Sequence, residues 1–255
     1  MILTFDIGNT NITIGAFDDN KLIFESRLET NHRRMEDQYA IEINDILKLY
    51  GTSVKDVHGS IICSVVPPIT SIIFKAVYKL TLTEPIIVGP GIKTGLNIKI
   101  DNPAQLGADM VAGAVAVINS YPCPAIIFDL GTATTVTIID NDKNLIGGLI
   151  MPGIFTSLNA LIKSTAQLPQ ISFDEPVMLA GKNTSDSMRS GIILGNASMM
   201  DGISSRIEEE VGKCTIIVTG GFSKDIIKHC KKEMIFSDQL VLDGLKLIYD
   251  KNYKA

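Results

Sequence analysis

A chain of 255 residues that is 45% apolar and 20% charged is long enough for one large domain or two modest ones, and its composition is that of an ordinary soluble globular protein. The formal net charge of −5 argues against nucleic acid or a membrane surface as a partner, because the one basic run, His32-Arg33-Arg34, is short and followed by Glu36 and Asp37. Dispersed cysteines (Cys63, Cys123, Cys214, Cys230) and histidines disfavour a zinc site or disulfide framework, and with no basic-then-apolar leader and no apolar run near the roughly 18 residues of a membrane span, the expected compartment is a reducing cytoplasm.

The first predicted element is a hairpin. Ile2 to Ile7 reads as a buried strand with Asp6 near its end, Gly8 opens a tight turn, and a β-branched alternation leads away through Ile12, Thr13 and Ile14. Lys21 to Leu28 is a further strand of the same antiparallel run. Tyr39, Ile43, Ile46, Leu47 and Tyr50 recur at helical spacing over Glu36 to Tyr50, with Gly51 as the stop. Gly59 to Val66 is a buried strand ended by Pro67-Pro68, Ile69 to Leu80 the helix after it, and Pro85 to Val88 a short strand. Gly89-Pro90-Gly91 has the wrong spacing for a dinucleotide fingerprint and reads as a turn. Asp101-Asn102-Pro103 predicts a helix start, with Asn102 as N-cap, that runs through Gly107-Ala108-Asp109 to about Asn119. Tyr121-Pro122-Cys123-Pro124 follows a boundary, which gives domains over 1–120 and 121–255.

Ala125 to Ile139 then repeats the opening hairpin: Phe128-Asp129-Leu130-Gly131-Thr132-Ala133 answers Phe5-Asp6-Ile7-Gly8-Asn9-Thr10. Asn141 to Asn144 is a turn, Gly147 to Ile150 a strand, and Phe155 to Leu168 a helix. Asn183-Thr184-Ser185 caps a long helix reaching about Val211. Its small residues Ser187, Gly191, Gly195 and Ser198 or Met199 suit close packing on another helix, within the chain or across a dimer interface. Cys214 to Val218 is a strand ending in Thr219-Gly220-Gly221, before a helix from Ser223 to Lys231. The paired glycines suit a flat group such as a nucleoside, or plain tight packing. Strands grouped before helices, twice over, predict two α/β halves of mixed sheet.

Either hairpin alone can be explained by a strand-end Asp that satisfies local backbone donors. Two copies in matching register point instead to related halves closing on one ligand. Glycine lets backbone approach a bulky anion, and successive N–H groups with Asn or Thr side chains make a donor-rich cradle. A carboxylate repels phosphate, so each Asp would act through a cation or a bound water. The sequence has no G-x-x-x-x-G-K-[ST] loop, no G-x-S-x-G elbow and no H-E-x-x-H.

Asp6-Ile7-Gly8-Asn9-Thr10-Asn11 and Asp129-Leu130-Gly131-Thr132-Ala133 are joined by Ser64-Val65-Val66-Pro67, Asp101-Asn102-Pro103, Gly107-Ala108-Asp109, Pro152-Gly153, Gly181-Lys182-Asn183-Thr184 and Thr219-Gly220-Gly221. In this order and spacing, over essentially the whole length, the chain resembles the type III pantothenate kinases, or Bvg accessory factor family, of the acetate kinase/sugar kinase/Hsp70/actin superfamily. The resemblance implies two related actin-like, ribonuclease H-like domains, each a mixed sheet flanked by helices, with the active site in the cleft between them. It implies a homodimer that uses ATP to phosphorylate pantothenate to 4'-phosphopantothenate, the first step toward coenzyme A.

By the same resemblance Asp109 is the general base and Asp6 serves Mg²⁺. Ile7, Gly8, Asn9, Thr10 and Asn11, with Gly131 and Thr132, hold the phosphates, and Gly220 and Gly221 the nucleoside. Asp129 takes a monovalent cation, K⁺ or ammonium, while Ile100, Gly107, Ala108, Met110 and Thr184 belong with Asp109 to the pantothenate site. Asp109 also suits an early helix position through the macrodipole, and Thr184 suits an N-cap. Two residues depart from the family pattern: Met110 stands where it has arginine, and Ile100 where it has tyrosine. Removing one partner of a buried charge pair costs about 2–5 kcal/mol. The departures therefore keep two alternatives open, a kinase of a different small hydroxyl substrate and a nucleotide-binding regulatory paralogue. If pantothenate is the acceptor, Lys99, Lys182 or Arg189 is the candidate to meet its carboxylate.

Overall fold

Both hairpins form where the β-branched alternation places them, in a computed structural model that describes residues 1–174 and 176–253. The first sheet begins as an antiparallel meander of β1 (Ile2–Ile7), β2 (Asn11–Asp18) and β3 (Lys21–Glu29). Helix α1 (Glu36–Leu49) returns the chain to β4 (Gly59–Ser64), which runs parallel to β1. Helix α2 (Pro67–Thr81) then leads to β5 (Ile86–Ile87), parallel to β4. After the short β6 (Asn97–Ile98) come helix α3 (Ala108–Ser120) and the second meander of β7 (Ala125–Leu130), β8 (Ala133–Ile139) and β9 (Asn144–Pro152). Helices α4 (Ile154–Lys163) and α5 (Thr184–Val211) precede β10 (Thr215–Thr219), α6 (Ser223–Ile227), β11 (Ile235–Phe236) and α7 (Leu240–Tyr253).

The strand orders are β3-β2-β1-β4-β5 and β11-β10-β7-β8-β9-β6. Read from β9 to β11, the second sheet repeats the first strand for strand and direction for direction, with β6 added beside β9. The chain divides into two compact units. One holds Met1–Leu96, Asp101–Ser120 and the stretch from Gln239; the other holds Asn97–Ile100 and Tyr121–Asp238. The C-terminal stretch thus groups with the first unit, whereas the predicted boundaries put it in the second.

Alternation along the strands decides what each sheet face meets. Leu3, Phe5 and Ile7 of β1 face one way, into a core with Tyr39, Ile43 and Leu47 of α1 and Ile69 and Ile73 of α2. Thr4 and Asp6 take the alternate positions, on the side where α7 packs. No element was predicted over α7, although Leu240, Leu242, Leu245 and Ile248 are buried on it. The sheet receives this helix through missing side chains: a Cβ on Gly15 would strike Thr4 and crowd Leu242, and one on Gly59 would strike the Tyr249 ring. Within α7 itself, Gly244 lies against the backbone of Ala112 on α3. The second core gathers Ile126, Phe128, Leu130 and Val136 beneath Ile193, Ala197, Met200 and Ile207 of α5.

Three predicted helices differ in extent. The one expected from Pro103 to Asn119 is split into a 3-10 turn at Pro103–Gln105 and α3, and Asn102 makes no side-chain cap. The one expected to Leu168 stops at Lys163, where the Thr165 hydroxyl donates to the carbonyl of Leu161 and takes one of the last helical acceptors. The one expected to Lys231 ends at Ile227. Asn183, whose Oδ1 accepts the Asp186 N–H at 2.9 Å, is the N-cap of α5, so Thr184 is its first helical residue. The small residues Ser187, Gly191, Gly195 and Ser198 of α5 are exposed, and Ser187 lies against Gly181. Among the described residues no helix is long and apolar enough to cross a membrane.

Candidate functional site

In the first unit the strand ladder sets Asp6 opposite Thr13 on one side and Cys63 on the other. Beyond it the turn closes with the Gly8 N–H donating to Asn11 O at 3.0 Å. Thr30 ties this turn from beneath: its hydroxyl donates to Gly8 O at 2.7 Å and its N–H to Thr10 O at 2.9 Å. Two of the turn's carbonyls are thereby taken inward, and Asn9, Thr10 and Asn11 stand exposed. This suits an anion, since carbonyl oxygens repel phosphate and the remaining polar groups can donate to it.

Asp109 is the second residue of α3. Its carboxylate folds back and accepts the Met110 N–H at 2.8 Å, in the space a Cβ on Gly107 would occupy. The Gly107-Ala108-Asp109 motif therefore has a steric reason: glycine leaves room for the acid over its own helix start. Burial pushes the Asp109 carboxyl above its ordinary range, a larger effect than the opposing backbone hydrogen bonds. Asp6 is raised to about 6, first by burial and further by the charge of Asp109, against a hydrogen bond from Cys63 and the attraction of Arg27. Burial is the main cause at both acids, so a bound cation would offset what their ionised forms lose in solvation. Such a donor set fits Mg²⁺, which takes one or two carboxylates and fills its shell with water and phosphate oxygens. Among the described residues no group of three or more His, Cys, Asp or Glu forms a self-sufficient metal cage.

The second unit repeats the plan with a shorter turn. Gly131 N–H donates to Ala133 O at 3.1 Å, while Thr132 O accepts from Gly153 N–H at 3.2 Å and from the Thr156 hydroxyl at 2.7 Å. Gly153 lies so close to the Gly131 and Thr132 carbonyls that no side chain fits there. Gly220 has a φ of +97° and rests on the Leu130 carbonyl and the Asp129 carboxylate, where a Cβ would collide with both. Tight packing thus accounts for Gly220, whereas a Cβ on Gly221 would meet open space. Phe222, next in the chain, meets Phe155 and Phe173 edge-on at centroid distances of 5.1 and 4.9 Å and fastens this loop to the start of α4.

The predicted residues therefore fall into two groups. Asp6, Ile7, Gly8, Asn9, Thr10 and Asn11 share the first unit with Gly107, Ala108, Asp109 and Met110. Asp129, Gly131, Thr132, Gly220 and Gly221 share the second with Ile100, which is half-buried, and Thr184, which is exposed. Of the three cations considered for the acceptor carboxylate, Arg189 is buried, and its guanidinium donates to Ser172 O and Asp186 Oδ1, both at 2.9 Å. It is engaged in holding a loop to α5. Lys99 is paired with Asp140 at 4.0 Å, and Lys182 is exposed. Sequence reasoning missed Thr30, Thr156, Phe222 and Cys63. Only Cys63 carried a signal, as the strand residue just before the Ser64-Val65-Val66-Pro67 motif.

The sequence model of the type III pantothenate kinase family matches residues 2–206. A type III pantothenate kinase of Bacillus cytotoxicus is 42% identical over 253 residues, which cover 99% of this chain and 97% of that protein. Among solved structures, a conserved Baf family protein from Campylobacter jejuni superposes with a TM-score of 0.64 at 21% identity, over 99% of this chain and 100% of that one. The activator of the 2-hydroxyisocaproyl-CoA dehydratase from Clostridium difficile, with bound ADPNP, gives 0.53 at 14% identity, over 99% and 96%. The structural matches concern the fold, which is the mixed α/β actin-like one with two sheets flanked by helices.

Proposed function

The chain belongs to the type III pantothenate kinase family and phosphorylates pantothenate with ATP, and from that premise we propose how its residues divide the work. The observation that carries the reading is the buried Asp6 at the strand end before the Gly8 turn, with Asp109 near enough to act on it by charge. Asp109 is the general base: as the primary hydroxyl oxygen of pantothenate bonds to the γ-phosphorus and the bond to the ADP oxygen breaks, Asp109 takes the hydroxyl proton. Its raised proton affinity suits that task. Asp6 serves Mg²⁺, which when bound neutralises phosphate charge. The Gly8-Asn9-Thr10-Asn11 and Gly131-Thr132 turns serve the phosphates, so the protein's part is mostly positioning and charge.

Gly220 and Gly221 serve the nucleoside, and Asp129 a monovalent cation, K⁺ or ammonium. Gly107, Ala108, Met110, Ile100 and Thr184 belong to the acceptor site. With Arg189 engaged and Lys99 paired, Lys182 is the cation best suited to meet the pantothenate carboxylate. The enzyme acts in the cytoplasm as a homodimer, through the exposed small-residue face of α5. The deciding experiment is a coupled assay with ATP, pantothenate, Mg²⁺ and K⁺ on Asp109→Asn. A loss of about 10²- to 10⁴-fold in kcat with both substrates still bound is expected for a lost general base. Turnover within a few-fold of the parent would remove Asp109 from that role. Sedimentation of a Gly195→Lys variant tests the dimer, which should dissociate.

A further inference from the structure

The parallel register of β1 and β4 places Cys63 directly beside Asp6. The Cys63 side chain is fully buried, and its thiol donates to Asp6 Oδ1 at 3.2 Å. An ordinary thiol keeps its proton at neutral pH, so the sulfur acts as a donor. A carboxylate on a single Cβ turns easily, because the terminal torsion of Asp is broad. The strand neighbour of Asp129 in the second unit is Thr219, so the thiol belongs to the first unit alone.

We propose that Cys63 is a positioning residue for phosphoryl transfer: its S–H···O bond fixes the plane of the Asp6 carboxylate and directs the other oxygen, Oδ2, toward the metal–nucleotide. A thiol suits this task because it is a weak donor, so it orients the carboxylate while leaving it most of its negative charge. The inference rests on the reading of Asp6 as the carboxylate that serves Mg²⁺, and the experiment separates the two.

Turnover is measured against Mg²⁺ concentration in Cys63→Val, Cys63→Ser and Asp6→Asn, with thermal melts to show that each is folded. Cys63→Ala is held in reserve in case Val does not fit. Loss of an outer partner of a metal-bearing carboxylate typically costs 10–100-fold, so Cys63→Val should raise the Mg²⁺ needed for half-saturation roughly 10-fold with the KM for pantothenate unchanged. Cys63→Ser keeps a donor and should stay within about 3-fold of the parent on both measures. A Val variant with the parent's Mg²⁺ dependence overturns the proposal, as does a Ser variant that fails equally, since the site would then need the sulfur's volume and not its hydrogen bond. If Asp6→Asn leaves the Mg²⁺ dependence unchanged, the underlying reading of Asp6 falls and this inference with it. If Asp6→Asn shifts the dependence and Cys63→Val does not, only the role of Cys63 falls.

Discussion

The two hairpins share strand order, a strand-end aspartate and a threonine that ties down a turn carbonyl, yet their aspartates keep different company. Asp6 stands beside a buried thiol and near a second carboxylate delivered by the start of α3. Asp129 stands beside Thr219, with the backbone of Gly220 pressed against it. Duplication of the sheet therefore fixes where each acid sits, while the neighbouring strand and the covering loop or helix decide its surroundings. The first surroundings concentrate negative charge; the second are a narrow backbone niche.

Exchange of each acid for its amide probes that contrast most strongly. Asp6→Asn should reduce kcat/KM by at least about 10²-fold at fixed Mg²⁺, as loss of a charged group facing a phosphate-bound cation would. Asp129→Asn should cost closer to 10-fold and show itself as a changed response to K⁺ or ammonium in the same assay. Equal losses with identical cation dependence would erase the distinction.

The next effect is on stability. The folded chain binds a proton at Asp6 more tightly than the unfolded chain does, because its carboxyl is raised from 3.8 to about 6. In the absence of Mg²⁺ the contribution of Asp6 to stability is therefore highest with the carboxyl protonated, falls as pH climbs from about 4 to about 6, and levels off above that, by up to ~3 kcal/mol. Melting curves between pH 4 and pH 7 should show Asp6→Asn with a shallower decline and a higher Tm than the parent at neutral pH.

The glycine pair of the second unit offers a sharper internal control. Gly220→Ala meets both a positive φ and a backbone collision, and should lose about 1–3 kcal/mol of stability along with nucleotide affinity. Gly221→Ala enters open space and should change the Tm by less than about 0.5 kcal/mol equivalent. In the turns themselves, Thr30→Val and Thr156→Val each remove one tie on a turn carbonyl. Each should cost about 1 kcal/mol, read as a few-fold rise in the KM for ATP. If only one of the pair does so, the turns are not equivalent in use.

The hairpins were legible because strand, acid and glycine turn are all local, and because the pattern recurs. Asp109 was legible as a motif, but the break in its helix was not: the carboxylate's return over Gly107 is a steric fact that helix propensity does not encode. The bond from Cys63 to Asp6 joins residues 57 apart through a strand register, and neither residue signals it alone. Thr30 and Thr156 were invisible for the same reason, since a hydroxyl that ties a distant carbonyl has no period. Leu240, Leu242, Leu245 and Ile248 could have announced α7 by their spacing, but its seat depends on Gly15 and Gly59, far upstream, whose meaning appears only when the helix lies on them.

That seat bears on the order in which the polypeptide matures. The first sheet leaves the ribosome well before the helix that covers it, and the glycines of β2 and β4 stay uncovered until that helix arrives. Residues 121–238, by contrast, can collapse among themselves as soon as they emerge. The first unit is thus begun before the second and completed after it, and a nascent chain halted near residue 238 exposes the seat of α7 to whatever chaperone or aggregate reaches it.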